Sequence, residues 1–452
     1  MAENSFRKNP AWFRIANRIW KESYFLGTKI RLDKDDLLKT AKNRTGLTDF
    51  GDDFFDEPLS RLLFSIEQEA KLHPIGRFIA RERFIGLLSI RLRAEYYFRK
   101  YPAILEQEIY PAWIILGLQR TGTTKLQRLL AVDPSHRVIP SWEVINPVPL
   151  DLNYFDKQPH QKATRFNHSI NPASGILSSS MDGQGPSLFW AYPDPDRIKI
   201  ARTSVKALKL MSPGFFAIHP IDVMQPEEDI LLLDVSFLST TPEAMMHVPS
   251  YASWLESIDQ SAAYAYASKL LKLLQWIKPA HRWILKTPHH LEFPHLFEKY
   301  FGPVRFIWPH RKIYESVPSF LSMVTYNRMI FSNDVDVKQV AGHWVRKTGY
   351  MLEKALQYRL LGNNDQKFID LRYQDLISGP LGQLSKIYNM NGGITPEMET
   401  SFRNHEAENP TMKYGKHRYS LNDFGLTEAD IDKYTIHYQQ FISRKLNLGW
   451  TI

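Results

Sequence analysis

The stretch of residues 113–125 constrains the fold more than any other part of the sequence. A four-residue apolar run, residues 113–116, is followed by Gly117 and a second glycine, Gly122. A run this short predicts a buried strand, and helical spacing resumes at residues 124–130. A strand, a glycine-bounded turn and a helix start form an anion cradle, because the first N–H groups of a helix have no internal acceptor.

This turn fits the phosphate-loop frame G-x-x-x-x-G-K-[ST], except that Thr123 occupies the lysine position. The loop still contains one cation and three hydroxyls for the same oxygens: Arg120, Thr121, Thr123 and Thr124. This set suits a terminal phosphate better than a triphosphate with its metal. The alternative is that the two glycines serve only the turn.

Composition limits the classes of function. The 452 residues are 43% hydrophobic and 23% charged, which is typical of a globular protein, and there is no cysteine for disulfide or thiolate chemistry. No apolar run approaches the ~18 residues of a membrane span, so we expect a soluble, cytoplasmic protein. The net charge of +9 favours anionic ligands. Without a basic block or a zinc-finger pattern, we expect no nucleic-acid partner.

The order of elements predicts two regions. Residues 1–110 have helical spacing and should pack on the core, and residues 111–452 form an α/β domain with a substrate-site insertion at 146–250. Strands are predicted at 113–116, 137–140, 283–286, 304–308 and 367–371, with helices at 251–276, 291–300, 313–325 and 335–361. This alternation predicts a parallel β-sheet flanked by helices, with ligands at the carboxyl ends of the strands.

The segment of residues 6–20 alternates large apolar side chains with arginine and lysine. A basic amphipathic helix can lie on an anionic membrane surface. It can equally pack on the rest of the protein or on a second subunit of a homo-oligomer. The sequence leaves both interpretations open.

Further polar residues follow two later strands. Lys286, His289 and His290 come at the end of one predicted strand. Arg311 follows the next strand, and Ser319 lies eight positions later on a helix. Because parallel strands bring their carboxyl ends to one edge, we expect these residues and the phosphate loop to form one site.

At this point the sequence resembles the sulfotransferases that use 3′-phosphoadenosine 5′-phosphosulfate (PAPS). Residues 117–124 look like the family's 5′-phosphosulfate loop, and residues 306–311 with Ser319 look like its 3′-phosphate motif. Further similar stretches are residues 285–291, 370–376 and 418–426. With residues 47–52 the likeness covers most of the chain and is greatest to the large microbial branch. It implies a P-loop NTPase-like fold.

The resemblance implies a role for each matching residue. The 5′-phosphosulfate would be bound by Arg120, Thr121, Gly122, Thr123 and Thr124. The 3′-phosphate would be bound by Arg311 and Ser319, Tyr373 would contact the adenine, and Lys416 and Arg418 would close over the 3′-phosphate. Two positions depart from the family pattern: Gln119 replaces a proline, and Lys312-Ile313 replaces an Asp-Pro pair.

Sulfuryl transfer requires a cation for the leaving oxygen and a base for the acceptor. Lys286 is the candidate cation, and no metal is required. His290 is the first candidate base and His289 the second, although one of the pair could orient the other. Glu143 is an alternative base, or else an ion pair that fixes its loop. The acceptor would be a hydroxyl or amine of a small or lipid-like molecule.

Two other classes of function compete with this hypothesis. A P-loop kinase or NTPase would need a lysine at Thr123 and a later aspartate for Mg²⁺, which the sequence does not offer convincingly. A non-catalytic nucleotide-binding module would not need Lys286 and His290.

Overall fold

Five parallel strands form one sheet in the centre of the molecule. The computed structural model describes residues 9–157, 194–279, 281–389, 392–409 and 419–447. The strands are β1 (Ala112–Ile115), β2 (His136–Arg137), β3 (Arg282–Lys286), β4 (Val304–His310) and β5 (Phe368–Arg372). Their order is β2-β3-β1-β4-β5, and every neighbouring pair is parallel. The predicted α/β fold with a parallel sheet is confirmed.

The sheet is covered on both faces, which explains the continuous apolar character of β1. Ile114 and Ile115 are both 0% exposed and belong to different hydrophobic clusters. Successive strand residues point to opposite faces, so a strand with two buried faces cannot alternate apolar and polar residues. In register, Ile115 pairs with Lys286 on one side and with Ile307 on the other.

The N-terminal region is helical and shares its core with the sheet. Its helices are α1 (Ala11–Glu22), α2 (Lys34–Thr45), α3 (Asp56–Glu69), α4 (Pro74–Lys100) and α5 (Ala103–Glu106). Helix α4 begins where His73 Nδ1 accepts a hydrogen bond from Gly76 N, with Pro74 in the first turn. One apolar cluster runs from Leu59 and Leu88 to Ile114, so the two regions share one hydrophobic core.

Helices also connect and follow the strands. They are α6 (Thr123–Leu130), α7 (Ser141–Ile145), α8 (Pro195–Met211), α9 (Pro213–Ile218), α10 (Ile230–Asp234), α11 (Thr241–Met245), α12 (Pro249–Ser257), α13 (Ser261–Ile277), α14 (Pro294–Phe301), α15 (Ile313–Met329), α16 (Val337–Leu361), α17 (Tyr373–Ser378), α18 (Pro380–Tyr388), α19 (Pro396–Glu408) and α20 (Glu428–Leu446). Among these described helices and those of the N-terminal region, none is long and apolar enough to cross a membrane.

Three sequence predictions need correction. The helix predicted at 251–276 is two helices, α12 and α13, because Ile258 is extended and the Asp259 side chain accepts a hydrogen bond from Ser261 N. The strand predicted at 137–140 is only His136–Arg137. The helix predicted at 291–300 begins at Pro294, after a 3₁₀ turn at Pro288–Leu291.

The predicted insertion is more regular than its sequence indicates. The weak periodicity of residues 146–250 favours loops and short helices, but α8 is 17 residues long. Asp194 caps α8 by accepting a hydrogen bond from Arg197 N, and Pro195 occupies its first turn. Residues 158–193 of the insertion lie outside the described residues.

Two glycines of α4 provide a test of how closely this helix packs on the core. A Cβ at Gly76 would lie 2.1 Å from the carbonyl oxygen of Phe331, whereas a Cβ at Gly86 would meet no described atom beyond its own helix within 4 Å. We expect Gly76→Ala to lower the free energy of unfolding by about 1–3 kcal/mol through overpacking. Gly86→Ala should raise it by about 0.5–1 kcal/mol through helix propensity. Urea unfolding of both variants measures this, and a neutral Gly76→Ala would contradict the close packing.

Candidate active site

The loop between β1 and α6 turns sharply at two residues with positive φ. Gly122 has a φ of 87° and Arg120 a φ of 68°. Left-handed backbone is unusual for a residue with a side chain and marks functional loops when the surroundings hold it. The Thr121 hydroxyl donates to the carbonyl oxygen of Leu118 at 2.7 Å, so this side chain shapes the loop.

The loop meets residues from β4, α15 and α17. Arg120 Nε donates to Ser319 Oγ at 3.1 Å, and an Arg311 guanidinium nitrogen donates to the Arg120 carbonyl oxygen at 3.0 Å. The Arg311 guanidinium lies 4.4 Å from the centre of the Tyr373 ring. A Cβ at Gly122 would lie 3.1 Å from that ring, which favours glycine there. Five residues predicted from three separate motifs therefore lie together.

Positive charge at the loop is only partly neutralised. Arg311 pairs with Glu315 at 3.0 Å, while Arg120 has no carboxylate partner within the part of the chain that the structure describes. Desolvation and, second, repulsion by Arg311 lower the pKa of Arg120 below its ordinary value. An anion bound at the loop would relieve this repulsion, so the arrangement suits a phosphate or sulfate group.

Lys286 ends β3 in a buried position beside the loop. It is 1% exposed, and its Nζ donates to Glu228 Oε1 at 3.0 Å. Its backbone N–H donates to Asp229 Oδ1 at 2.7 Å, and the Thr287 hydroxyl lies 3.3 Å from Glu228 Oε2. The Glu228 side chain is 29% exposed. The Glu228 carboxylate therefore contacts both the buried Lys286 ammonium and solvent.

The two histidines after β3 are buried with both ring nitrogens engaged. His290 bonds through Nε2 to Asp229 Oδ2 at 2.7 Å and through Nδ1 to the Tyr264 hydroxyl at 2.9 Å. His289 bonds to Gln260 at 3.1 Å and lies 3.3 Å from the Thr240 hydroxyl. Burial and then the charge of His290 lower the pKa of His289 well below its ordinary value. In this geometry neither ring offers a free nitrogen to an acceptor.

Glu143 is equally enclosed. It is 0% exposed, and its carboxylate accepts a hydrogen bond from Arg137 at 2.6 Å. The Arg137 guanidinium lies 5.2 Å from the Trp283 ring. This is the ion pair that the sequence leaves open as the alternative to a catalytic base. Lys416 and Arg418, the predicted late basic loop, lie outside the described residues.

Three polar residues near the site were not predicted: His219, Glu228 and Asp229. The side chain of His219 is 28% exposed, with its Nε2 4.0 Å from Glu227 Oε2. Desolvation lowers the pKa of His219 below its ordinary value, although Glu227 and Glu228 oppose this. The available signal was the run Pro-Glu-Glu-Asp at residues 226–229. Its acidic residues lie far in sequence from the lysine and histidine they contact.

A group of buried polar residues behind the site holds the carboxyl end of β4 in place. Asp370 accepts hydrogen bonds from two nitrogens of Arg359 at 2.8 and 2.7 Å, and it lies 2.8 Å from His310 Nε2. His310 Nδ1 lies 2.8 Å from the Tyr438 hydroxyl. Burial opposes ionisation of Asp370, but Arg359 and His310 outweigh it and hold its pKa well below the ordinary value. His310, which directly precedes Arg311, is therefore held at both of its ring nitrogens.

Comparison with known proteins identifies the class. The model of the sulfotransferase family matches residues 111–396, and the chain belongs to this family. The fold is similar to that of sulfotransferase STF1 from Mycobacterium tuberculosis H37Rv, with a TM-score of 0.70 and 25% identity over 89% of this chain and 98% of that one.

Sulfotransferase STF9 from Mycobacterium avium has the same fold. The TM-score is 0.71, with 23% identity over 91% of this chain and 97% of that one. A search of curated protein sequences found no match.

Proposed function

We propose that the protein transfers the sulfuryl group of PAPS to a hydroxyl or amine of a small or lipid-like acceptor. The carrying observation is the meeting of Arg120, Arg311 and Ser319 at a glycine-bounded loop. Membership of the sulfotransferase family supports the type of reaction. The two guanidinium groups and the hydroxyl match the several anionic groups of this nucleotide.

The residues present fit such a donor. Arg120 and the N–H groups at the start of α6 would hold the 5′-phosphosulfate, together with Thr123 and Thr124. The backbone of Thr121 and Gly122 would complete this cradle, since the Thr121 hydroxyl already bonds to Leu118. Arg311 and Ser319 would hold the 3′-phosphate, and Tyr373 would contact the adenine.

We expect the product nucleotide, 3′,5′-adenosine bisphosphate, to bind tightly to the wild-type protein. Arg311→Ala should weaken this binding by about 10- to 150-fold, because a hydrogen bond to a charged group contributes about 1.5–3 kcal/mol. Isothermal titration calorimetry measures the change. Lys312→Ala, at the exposed neighbouring position, is the control and should bind normally. Preference for ATP with Mg²⁺ over the bisphosphate would instead favour a kinase or NTPase.

For catalysis we propose a pair, Lys286 and Glu228. When bound, the nucleotide supplies the sulfuryl group and a phosphate leaving group. Lys286 would stabilise negative charge that develops on the leaving oxygen. Glu228 would accept the proton of the acceptor. Of the two carboxylates bonded to this lysine in the described part of the chain, Glu228 is 29% exposed and Asp229 only 8%. The sequence predicts His290 as the first candidate base. We propose instead that His290 positions Asp229, which in turn holds the backbone N–H of Lys286.

Four matched variants test the choice of base. Glu228→Gln should lower turnover by about 10²–10⁴-fold, as expected for loss of general-base catalysis, while bisphosphate binding stays intact. His290→Gln and Glu143→Gln should mainly lower the melting temperature. The shorter glutamine cannot keep both hydrogen bonds of His290, to Asp229 and Tyr264. Glu143→Gln removes the negative charge that pairs with the buried Arg137 guanidinium. Transfer of radiolabelled sulfate from PAPS to a panel of alkyl alcohols, phenols and amines provides the assay. If His219→Gln abolishes transfer and Glu228→Gln does not, the base is His219.

We also propose that α1 docks the cytoplasmic protein on an anionic membrane surface. Phe13 and Asn17 are buried against the protein, and Asn17 accepts a hydrogen bond from Ile75 N. On the outer side, Trp12, Ile15 and Ile19 are 52%, 58% and 62% exposed. The basic side chains of this helix are also exposed: Arg14, Arg18 and Lys21. An apolar face with neighbouring cations matches the interface of an anionic bilayer.

Vesicle sedimentation tests this docking. We expect binding to vesicles that contain phosphatidylserine and little binding to phosphatidylcholine alone, since the cations add electrostatic attraction. The variant Trp12→Gln/Ile15→Gln/Ile19→Gln should lose the binding. The control Leu360→Gln/Leu361→Gln removes two other exposed apolar side chains, 55% and 86% exposed, and should keep it. If the triple variant converts a dimer to a monomer and vesicle binding is unchanged, the apolar face of α1 is a subunit interface and not a membrane-docking surface.

A further inference from the structure

A cleft of about 890 Å³ opens beside the phosphate loop. One wall is formed by α6, with Thr124, Lys125 and Arg128. The facing wall is the long helix α8 of the insertion, and the segment of residues 216–227 completes the lining. Arg120 and Ser319 reach the same cleft, so it is continuous with the proposed donor site.

The α8 wall is strongly cationic. Arg202, Lys206 and Lys209 follow one another at four- and three-residue spacing, which places them on one face of the helix, and all three are exposed and line the cleft. None of the three forms an ion pair with any described residue. Across the cleft, Arg128 has a buried Nε without a hydrogen-bond partner within the described chain.

The carboxylates of the cleft do not balance this charge. Glu406 pairs with Lys125 at 2.7 Å, and Asp222 accepts a hydrogen bond from the backbone N–H of Met224. Glu227 lies beside His219. Like charges that face one opening repel each other, so this wall is stabilised when an anion binds between them.

The cleft also has an apolar side. Val205 lies on the same helix face as the cations, and Phe216, Ile218 and Ile221 follow on the floor. Lys209 Nζ lies 5.4 Å from the centre of the Phe216 ring. A ligand that fits this lining has an apolar portion next to its negative charge.

We propose that the acceptor is an amphipathic anion, and that Arg202, Lys206 and Lys209 bind its charged group. This inference rests on the proposed sulfotransferase function, because it names the acceptor class of that site. The anionic groups of the donor already have partners in Arg120, Arg311 and Ser319. The cationic face of α8 is therefore left for the second substrate.

The test uses the full-length protein saturated with 3′,5′-adenosine bisphosphate, titrated with octyl phosphate and with octyl glucoside below their micelle concentrations. We expect octyl phosphate to bind at least about tenfold more tightly, a difference of about 1.4 kcal/mol. The variant Arg202→Gln/Lys206→Gln/Lys209→Gln should remove this preference. The control Lys39→Gln/Lys199→Gln/Lys433→Gln loses the same charge at exposed positions that do not line the cleft, and should keep the preference.

Three results would overturn the inference. Equal binding of the two amphiphiles, or an unchanged preference in the α8 variant, would show that the wall does not select an anion. Loss of bisphosphate binding in the α8 variant would assign the three cations to the donor. If the wild-type protein does not bind the bisphosphate, the proposed function fails. Titration of the nucleotide-free protein with octyl phosphate then still measures the anion preference of α8.

Discussion

The parallel pairing of β1 with β3 and β4 is the constraint on which the site depends. All strands of a parallel sheet point the same way, so the residues that follow them meet at one edge. The register sets Ile115 beside Lys286, which places the loop and the lysine next to each other. On the other side, Arg311 follows the last residue of β4 and reaches the carbonyl oxygen of Arg120. Residues nearly two hundred positions apart thereby share a site.

Cationic side chains at one edge of the sheet repel each other, which is unfavourable unless neighbouring acidic residues compensate the repulsion. Buried acidic side chains that bond to the backbone or to neighbouring rings provide this compensation. Asp229 holds the N–H of Lys286 and the ring of His290, and Asp370 holds His310 next to Arg311. These acids stabilise the strand ends and leave the guanidinium of Arg120 without a carboxylate among the described residues. A rigid donor whose charge has no carboxylate partner, as at Arg120, suits an anionic ligand.

The sequence predicted the overall fold better than it predicted the bounds of individual helices and strands. The parallel sheet and the convergence of Arg120, Arg311 and Ser319 followed from glycine placement, apolar runs and the rule on strand ends. The predictions failed where local polar contacts decided the outcome. Asp259 interrupts a helix whose apolar spacing continues across it, and capping by Asp194 and Pro195 starts a long helix inside a segment of weak periodicity.

What the sequence determined by itself was the order of elements, the glycine-bounded loop after β1 and the residue types at the strand ends, because these depend on local spacing. Only the tertiary structure decided which polar residues are accessible. His289, His290 and Glu143 are chemically suited to act as bases, yet the fold buries each with its partners. Glu228 became a candidate because a distant segment brings it to Lys286. Burial and partnership depend on contacts between remote segments, and no spacing within one segment encodes them.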